Sequence, residues 1–337
     1  MRVFLYLLLA AVNASLAAAQ QGPVLFEGAR LIVGDGGVPI ENSAFLVVDN
    51  KFKTIGRKGD IQLPAGATRV NLAGKTVMPA LIDAHTHLGW QVIKTGQIGV
   101  ETYTKENLVD HLQRDAYYGI AAVQSMGIDK GEIPYQVRAN PAPNAALFRT
   151  AGRGMAMPNA GPGAAYWRPV AYGISTEGEA RAAVRELAAK KVDLIKIWVD
   201  DRNGTVKKLT PALYRAIIDE AHKNNLRVAA HIFYLEDAKE LLRSGIDIFA
   251  HGIRDKDVDA EAIELFKQHP RVIVIPNLPE RETTEADLAF AGETVPAAEI
   301  AKMRATLRAV TPDAARKAHE FYGVQARNLA KLNSAGV

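Results

Sequence analysis

Four of the eight histidines in this chain stand where an apolar, strand-like run ends. His85 and His87 close the run that begins at Val77, while His231 and His251 each end a later run. Side chains two apart on a strand point the same way, so His85 and His87 can bind one cation together. A lone His-x-His pair is more often a surface feature, but four imidazoles at strand ends predict a metal site. The other histidines fall in helical segments among charged residues and are expected on the surface: His111, His222, His269 and His319.

Lys196 stands inside an otherwise apolar strand, Leu194–Val199. Alternation along the strand places it on the face opposite Ile195 and Ile197. Lysine is rarely buried without a partner, because removing an ammonium group from water is costly. A buried lysine has a lowered pKa, and its neutral amine beside two cations could capture carbon dioxide as a carbamate. The alternative is an ordinary lysine whose amine reaches the strand end or forms an ion pair with Asp200 or Asp201.

The elements that must position these residues alternate regularly after Val77. Apolar strand-like runs are separated by amphipathic helical segments, which favours a parallel sheet covered by helices. A (β/α) barrel needs eight such units, and seven are counted here. The runner-up is an open doubly wound sheet, although no Gly-x-Gly-x-x-Gly follows the first strand. The strand candidates are Ala80–His85, Ile120–Gln124, Ala146–Thr150, Asp193–Val199, Arg227–Ile232, Ile246–His251 and Val272–Pro276. Residues 22 to about 76 instead predict a small β-rich unit.

Composition excludes several kinds of protein. Apolar residues make up 48% of the chain and charged residues 23%, as in an ordinary globular protein. The net charge is +4, and the Lys and Arg residues are scattered along the chain. No continuous basic surface for binding nucleic acid is therefore expected. There is no cysteine, which removes disulfides, thiolate metal sites and cysteine nucleophiles.

The N-terminus is typical of a secretory signal peptide. Arg2 precedes the apolar run Val3–Val12, and small residues up to Ala19 fit a cleavage site. Because the run is short for a membrane span, we expect cleavage near Ala19. The mature protein is then predicted to be secreted or periplasmic, with no membrane association after cleavage.

The run Met78–His87 resembles the first-strand signature of the amidohydrolase superfamily, in its imidazolonepropionase-like and Xaa-Pro dipeptidase-like branch. The resemblance covers essentially all of residues 22–337. It implies an α/β fold with a TIM-type (β/α) barrel at 79–337 and part of a small N-terminal β domain at 22–78. It also implies hydrolysis of an amide-type C–N bond by metal-activated water. Two ions are implied, zinc by default, with five ligands: His85, His87, His231, His251 and a carbon dioxide-modified Lys196.

One departure from the superfamily pattern concerns catalysis. Its members carry an aspartate at the end of the eighth barrel strand, and this sequence ends where that strand should begin. The barrel is therefore expected to be incomplete, with about seven of eight strands. No catalytic residue is identifiable, and the chain is expected to be weakly active or inactive.

The expected partner is a small-molecule substrate, and a homo-oligomer is compatible with the sequence. Candidate substrate-binding residues are Tyr166 and Arg168 in the Gly-rich loop Gly152–Arg168, together with Tyr234. Asn277–Thr311 is a candidate lid. Two alternatives stay open: a mononuclear cyclic-amide hydrolase or deaminase, and a non-catalytic metal-binding remnant. The substrate itself and the oligomeric state are not determined by the sequence.

Overall fold

The computed structural model describes residues 22–278 and 285–337. By its contacts the chain divides into two compact units, Met1–Ala80 and Leu81–Val337. The signal peptide predicted at residues 1–19 lies outside the described residues. Within the described ranges, no helix has the length and apolar character needed to cross a membrane.

The first unit consists of short strands, as its alternating apolar residues predict. They are β1 (Val24–Glu27), β2 (Arg30–Leu31), β3 (Ser43–Val48), β4 (Lys51–Arg57), β5 (Thr68–Asn71) and β6 (Thr76–Val77). Four form a sheet in the order β4-β3-β1-β5, and β2 pairs with β6. Asp49 and Asn50 join β3 to β4 with positive φ angles of 50° and 58°, the backbone of a tight hairpin turn. Leu25, Ala44 and Leu46 form the core of this unit.

The second unit carries the parallel strands that the apolar runs predict. They are β7 (Leu81–Thr86), β10 (Ile120–Ser125), β11 (Leu147–Thr150), β14 (Ile195–Val199), β15 (Val228–Ile232), β16 (Ile248–Ala250) and β17 (Ile273–Ile275). Four shorter strands were not predicted: β8 (Gln91–Val92), β9 (Gln97–Ile98), β12 (Met155–Ala156) and β13 (Tyr172–Gly173). The pairing orders are β11-β10-β7 and β13-β12-β14-β15-β16-β17, and every pair in these two sheets is parallel. The α/β class with a parallel sheet is confirmed, while among the described residues no ladder joins β17 to β7.

Helices lie between the strands close to the predicted positions. They are α1 (Lys105–Tyr117), α2 (Ile133–Ala139), α3 (Glu177–Ala189), α4 (Pro211–Lys223), α5 (Leu235–Arg243), α6 (Ala260–Gln268), α7 (Glu285–Ala291), α8 (Ala297–Arg308) and α9 (Pro312–Ser334). Thr176 and Glu179 form a reciprocal capping box at the start of α3. Gly245 follows α5 with a φ of +82°, a conformation that favours glycine. The candidate lid contains α7 and α8.

The two faces of β14 show how the sheet separates its layers. Ile195 and Ile197 pack in the large cluster with the helices, as predicted. Leu194, on the other face, joins a second cluster with Met126, Ala151, Ala229 and Ile248. These residues come from five different strands or from positions next to them, so the strands curve around a common interior. Residues further along this inner face lie closer to the carboxyl ends of the strands.

Candidate metal centre

The four histidines lie at or near the carboxyl ends of parallel strands, on β7 and β15 and directly after β7 and β16, whereas Lys196 is the second residue of β14. The imidazole rings form a continuous row. Ring centroids are 5.3 Å apart for His87 and His85, 4.7 Å for His85 and His251, and 4.5 Å for His251 and His231. Lys196 is fully buried on the same inner face.

Sheet curvature is what brings the first and sixth of these strands together. β7 and β16 belong to different sheets and do not pair with each other. Two strands that are not neighbours in a flat sheet lie at least about 10 Å apart, since neighbouring strands are about 4.8 Å apart. The His85 and His251 rings are nevertheless only 4.7 Å apart. The strands therefore curve far enough to place both imidazoles in one cluster.

The Lys196 amine is buried without a hydrogen-bond partner among the described residues. Its Nζ lies 5.5 Å from the centroid of the Trp198 ring. The ion pair with Asp200 considered from the sequence is not formed, because that carboxylate binds His231 and Arg202 instead. Burial, with a smaller contribution from the charge of Arg254, holds the pKa of Lys196 well below its usual value. A neutral amine in this position can act as a nucleophile, because its lone pair is not bound to a proton.

Burial also keeps the four imidazoles neutral. It lowers the pKa of His87 to about 3, with a further contribution from Lys196. It lowers the pKa of His231 to about 3, although the hydrogen bond to Asp200 acts in the opposite direction. The pKa values of His85 and His251 are lowered further still, again by burial first and then by the neighbouring Lys196 and histidines. Neutral imidazole is the form that binds metal ions, so at neutral pH no proton has to leave these rings.

Two of the imidazoles are oriented by polar neighbours. His231 Nε2 lies 2.9 Å from Asp200 Oδ2, and His85 Nδ1 lies 2.9 Å from Asn277 Oδ1. Burial raises the pKa of Asp200, but its hydrogen bonds with His231 and the Arg202 backbone N–H outweigh this and hold the pKa at about 2. A carboxylate behind a histidine fixes the ring and selects which nitrogen remains for a metal. Here that nitrogen is Nδ1 of His231.

The donor set fits a bound divalent cation in its chemistry, but it is not preformed. Within residues 22–278 and 285–337, no group of three or more histidine, aspartate and glutamate side chains already has the arrangement of a metal site. Two buried atoms at this cluster, Lys196 Nζ and His87 Nδ1, nevertheless have no hydrogen-bond partner. Leaving such atoms unpaired is costly, so a ligand that engages them is expected.

Solved structures share this arrangement of strands and helices. A putative prolidase from Bifidobacterium longum is 23% identical, with a TM-score of 0.68 over 94% of this chain and 72% of that one. A Xaa-Pro dipeptidase with methionine bound in its active site is 19% identical, with a TM-score of 0.67 over 94% and 77%. A protein described as an amidohydrolase is 20% identical, with a TM-score of 0.67 over 94% and 76%. These likenesses, all below 25% identity, show that the chain shares the fold of these structures.

Sequence comparison adds two relatives whose names do not describe a function. Uncharacterized proteins of Mycobacterium bovis and Mycobacterium tuberculosis are 29% identical over 266 residues, which is 74% of this chain. The chain spans 63% of the length of these curated relatives. No protein-family model matches it.

The predicted substrate-binding residues lie outside the row of histidines. Tyr166 is 43% exposed and packs on the ring of Trp167. The Arg168 Nε–H donates to the carbonyl of Pro162, and its side chain lines a cavity of about 190 Å³ that none of the five predicted ligands borders. The Tyr234 hydroxyl donates to Asp201 at 2.7 Å. Within the described residues, none of the three forms a hydrogen bond or ring contact with the four histidines.

Sequence reasoning assigned no site role to Asp200, Asn277 or Arg254 and placed Trp167 only in the candidate substrate loop, yet all four contact the histidines. Asp200 and Asn277 hold His231 and His85, and Arg254 approaches His231 Nε2 to 3.3 Å. Trp167 lies 5.7 Å from the ring of His87. Asp200, Asn277 and Arg254 follow their strands by one to four residues, so their position after a strand end was the available signal.

Asp129 supports the loops beside this site and carries a testable pH dependence. It is fully buried and accepts hydrogen bonds from the hydroxyls of Ser125, Tyr103 and Thr150. Burial raises its pKa to about 6, since the hydroxyl donors offset only part of the desolvation. A carboxyl group with a raised pKa stays protonated in the folded state while the unfolded chain ionises. It therefore lowers stability as pH rises from about 4 to about 6.

We expect Asp129→Asn to remove this dependence. The difference in unfolding free energy, wild type minus variant, should fall by about 2 kcal/mol between pH 4 and pH 6, because the pKa differs by about two units between the two states and each end of this range lies near one of the two pKa values. Urea denaturation across this range measures it. A difference that is flat in pH, or that rises, would show that Asp129 is ionised in the folded protein.

Proposed function

We propose that this chain is the greater part of a two-metal hydrolase that cleaves an amide-type C–N bond in a small molecule. Dipeptides and N-acyl amino acids are the leading substrate class. The observation that carries the proposal is Lys196: a fully buried amine without a hydrogen-bond partner, beside four neutral imidazoles. No ordinary structural role explains why an uncompensated lysine stays at this position.

The ligand roles are those that the resemblance to the amidohydrolase superfamily implies. His85 and His87 would hold one ion, His231 and His251 the other, and Lys196 modified by carbon dioxide would supply an anionic oxygen to both. Zinc is the default, because imidazole and oxygen ligands suit it, and manganese or cobalt would also fit. When bound, the ions would polarise the scissile carbonyl and lower the pKa of the attacking water.

The chain's own residues would prepare the site before any ion arrives. The buried surroundings keep the imidazoles neutral, and Asp200 fixes the ring of His231. Asn277 does the same for His85. The unprotonated Lys196 amine can attack carbon dioxide, forming a C–N bond and releasing one proton.

The finer organisation of the chain is part of the same proposal. Residues 79–337 would form seven of the eight strands of a TIM-type barrel, and residues 22–78 part of a small β domain. Residues 1–19 would be removed on export, which places the protein in the periplasm or outside the cell. The chain spans 63% of the length of its curated relatives. The hydrolase activity is therefore proposed for the whole protein as well as for this chain.

Metal analysis tests the proposed function. The full chain, loaded with zinc in the presence of bicarbonate and then desalted, is expected to retain two zinc ions per chain by elemental analysis. A screen of N-acyl amino acids and X-Pro dipeptides then tests the reaction. One ion per chain, unaffected by bicarbonate, would instead support the mononuclear cyclic-amide hydrolase or deaminase. Two ions without hydrolysis of any of these substrates would support a non-catalytic metal-binding protein.

A further inference from the structure

Arg254 lies beside the row of histidines and has no assigned role. It follows His251 by three residues, in the loop after β16. Its guanidinium donates to the carbonyl of Ile232, approaches His231 Nε2 to 3.3 Å and lies 5.0 Å from the centroid of the Phe233 ring. Its charge also reaches Lys196 and His251, since it lowers the pKa values of both. The guanidinium is therefore at one end of the candidate site.

The protein matches the charge of Arg254 only in part, since burial lowers the pKa of its guanidinium and the nearby Asp200 carboxylate raises it. In the part of the chain that the structure describes, no carboxylate forms a salt bridge with it, and its Nε is buried without a hydrogen-bond acceptor. Arg202 also has an unpaired Nε, but its charge is paired with Asp200. A buried guanidinium N–H without an acceptor is costly, so an anionic ligand is the expected partner.

The opposite end of the histidine row has a different character. The Trp167 ring lies 5.7 Å from that of His87 and 6.0 Å from that of Trp90. The indole nitrogens of both tryptophans are buried without hydrogen-bond partners. This end therefore offers aromatic surface and, from Trp167, a free N–H donor. The row of four imidazoles runs between an apolar end at Trp167 and a cationic end at Arg254.

From this polarity we propose that Arg254 binds the carboxylate of the substrate, while Trp167 contacts an apolar acyl group at the other end. The substrate class is then a carboxylate-bearing amide with an apolar acyl side, rather than a neutral amide, a urea or a cyclic amide. This inference rests on the proposed function. It adds the residue that selects the substrate and the direction in which the substrate lies.

Two probes that differ only in charge test the proposal. Hippurate (N-benzoylglycine) carries an aromatic acyl group and a carboxylate, and hippuramide replaces the carboxylate by a neutral amide. Binding to the full chain is measured by titration calorimetry, with zinc and bicarbonate and again without metal. Wild type is expected to bind hippurate about 10- to 100-fold more tightly than hippuramide. This is the range expected for hydrogen bonds to a charged group.

Variants separate recognition by Arg254 from other effects. Arg254→Met should bring the two affinities within about 2-fold of each other, leaving hippuramide binding unchanged, and Arg254→Lys should keep part of the preference. The matched control is Arg149→Met, which removes an equally positive but 63% exposed side chain. It should keep the full preference. Trp167→Ala should weaken binding of hippurate more than that of N-acetylglycine.

The outcomes distinguish this inference from the proposed function. Two bound zinc ions together with an undiminished preference for hippurate in Arg254→Met would overturn the carboxylate role and leave the hydrolase standing. Absence of bound zinc would contradict the proposed function, while the metal-free titrations still report on Arg254. If wild type binds neither probe, or binds both equally, the inference is wrong.

Discussion

Replacing Lys196 by methionine is expected to lower the zinc content from two ions to at most one per chain and to abolish the effect of bicarbonate on it. Methionine has nearly the length of lysine and fills the same buried space, but it has no amine to become a carbamate. The four imidazoles remain, so residual binding of a single ion is expected. Elemental analysis of protein loaded with and without bicarbonate gives the stoichiometry, and a ¹³C-bicarbonate NMR signal for the carbamate should be present in wild type only.

The same substitution should stabilise the metal-free protein. Lys196 is buried and unpaired there, so its replacement removes an unsatisfied polar group worth about 1–3 kcal/mol. Urea denaturation in the presence of a chelator measures this gain. A loss of metal-free stability in Lys196→Met would mean that the amine has a partner in the folded protein, and the argument for a reactive lysine would fail.

Lys239→Met is the matched control for this experiment. Lys239 is 4% exposed, but its amine binds Asp259 at 2.6 Å and Glu261 at 2.9 Å. Its removal should destabilise the protein by leaving Asp259 without its cation and Glu261 with Arg243 alone, and it should leave zinc content and bicarbonate dependence unchanged. Two buried lysines are thus expected to respond with opposite signs in stability, because only one of them is paired.

Replacing Gly127 by alanine is expected to displace Lys196 and so to disturb the candidate metal centre. A Cβ at this position would lie 2.7 Å from Lys196 Cγ and 2.9 Å from Lys196 Cβ. The φ angle of +91° adds backbone strain for any residue with a side chain. We expect a loss of about 1–3 kcal/mol from overpacking in addition to about 1–2 kcal/mol of strain. Zinc content should fall at least by half, because Lys196 must move.

Gly119→Ala separates strain from displacement. Gly119 has a nearly equal φ of +88°, and nothing lies within 4 Å of a Cβ built there. It should show the strain cost alone, with normal zinc binding. Thermal unfolding and elemental analysis of both variants provide the comparison. Equal zinc content in the two variants would show that the position of Lys196 does not control metal binding.

Local sequence pattern was sufficient for the longer elements and for the face that Lys196 occupies. Strands repeat every two residues, so the run Leu194–Val199 by itself placed Lys196 opposite Ile195 and Ile197, and the packing agrees. Helix starts were read from capping residues such as Thr176, whose effect is confined to a few neighbours. The short strand β12 was missed because two residues carry no periodicity.

Sequence also indicated that four histidines stand at strand ends, since an apolar run and the residue that terminates it are adjacent in the chain. It could not give the distance between those ends. That distance depends on how far the sheet curls, which is set by packing between strands far apart in sequence. Only the tertiary structure places His85 4.7 Å from His251, commits Asp200 to His231, and leaves Lys196 and Arg254 without carboxylate partners in the described residues. Whether a buried charge is paired is decided by side chains that meet in space, and neighbours along the chain do not specify it.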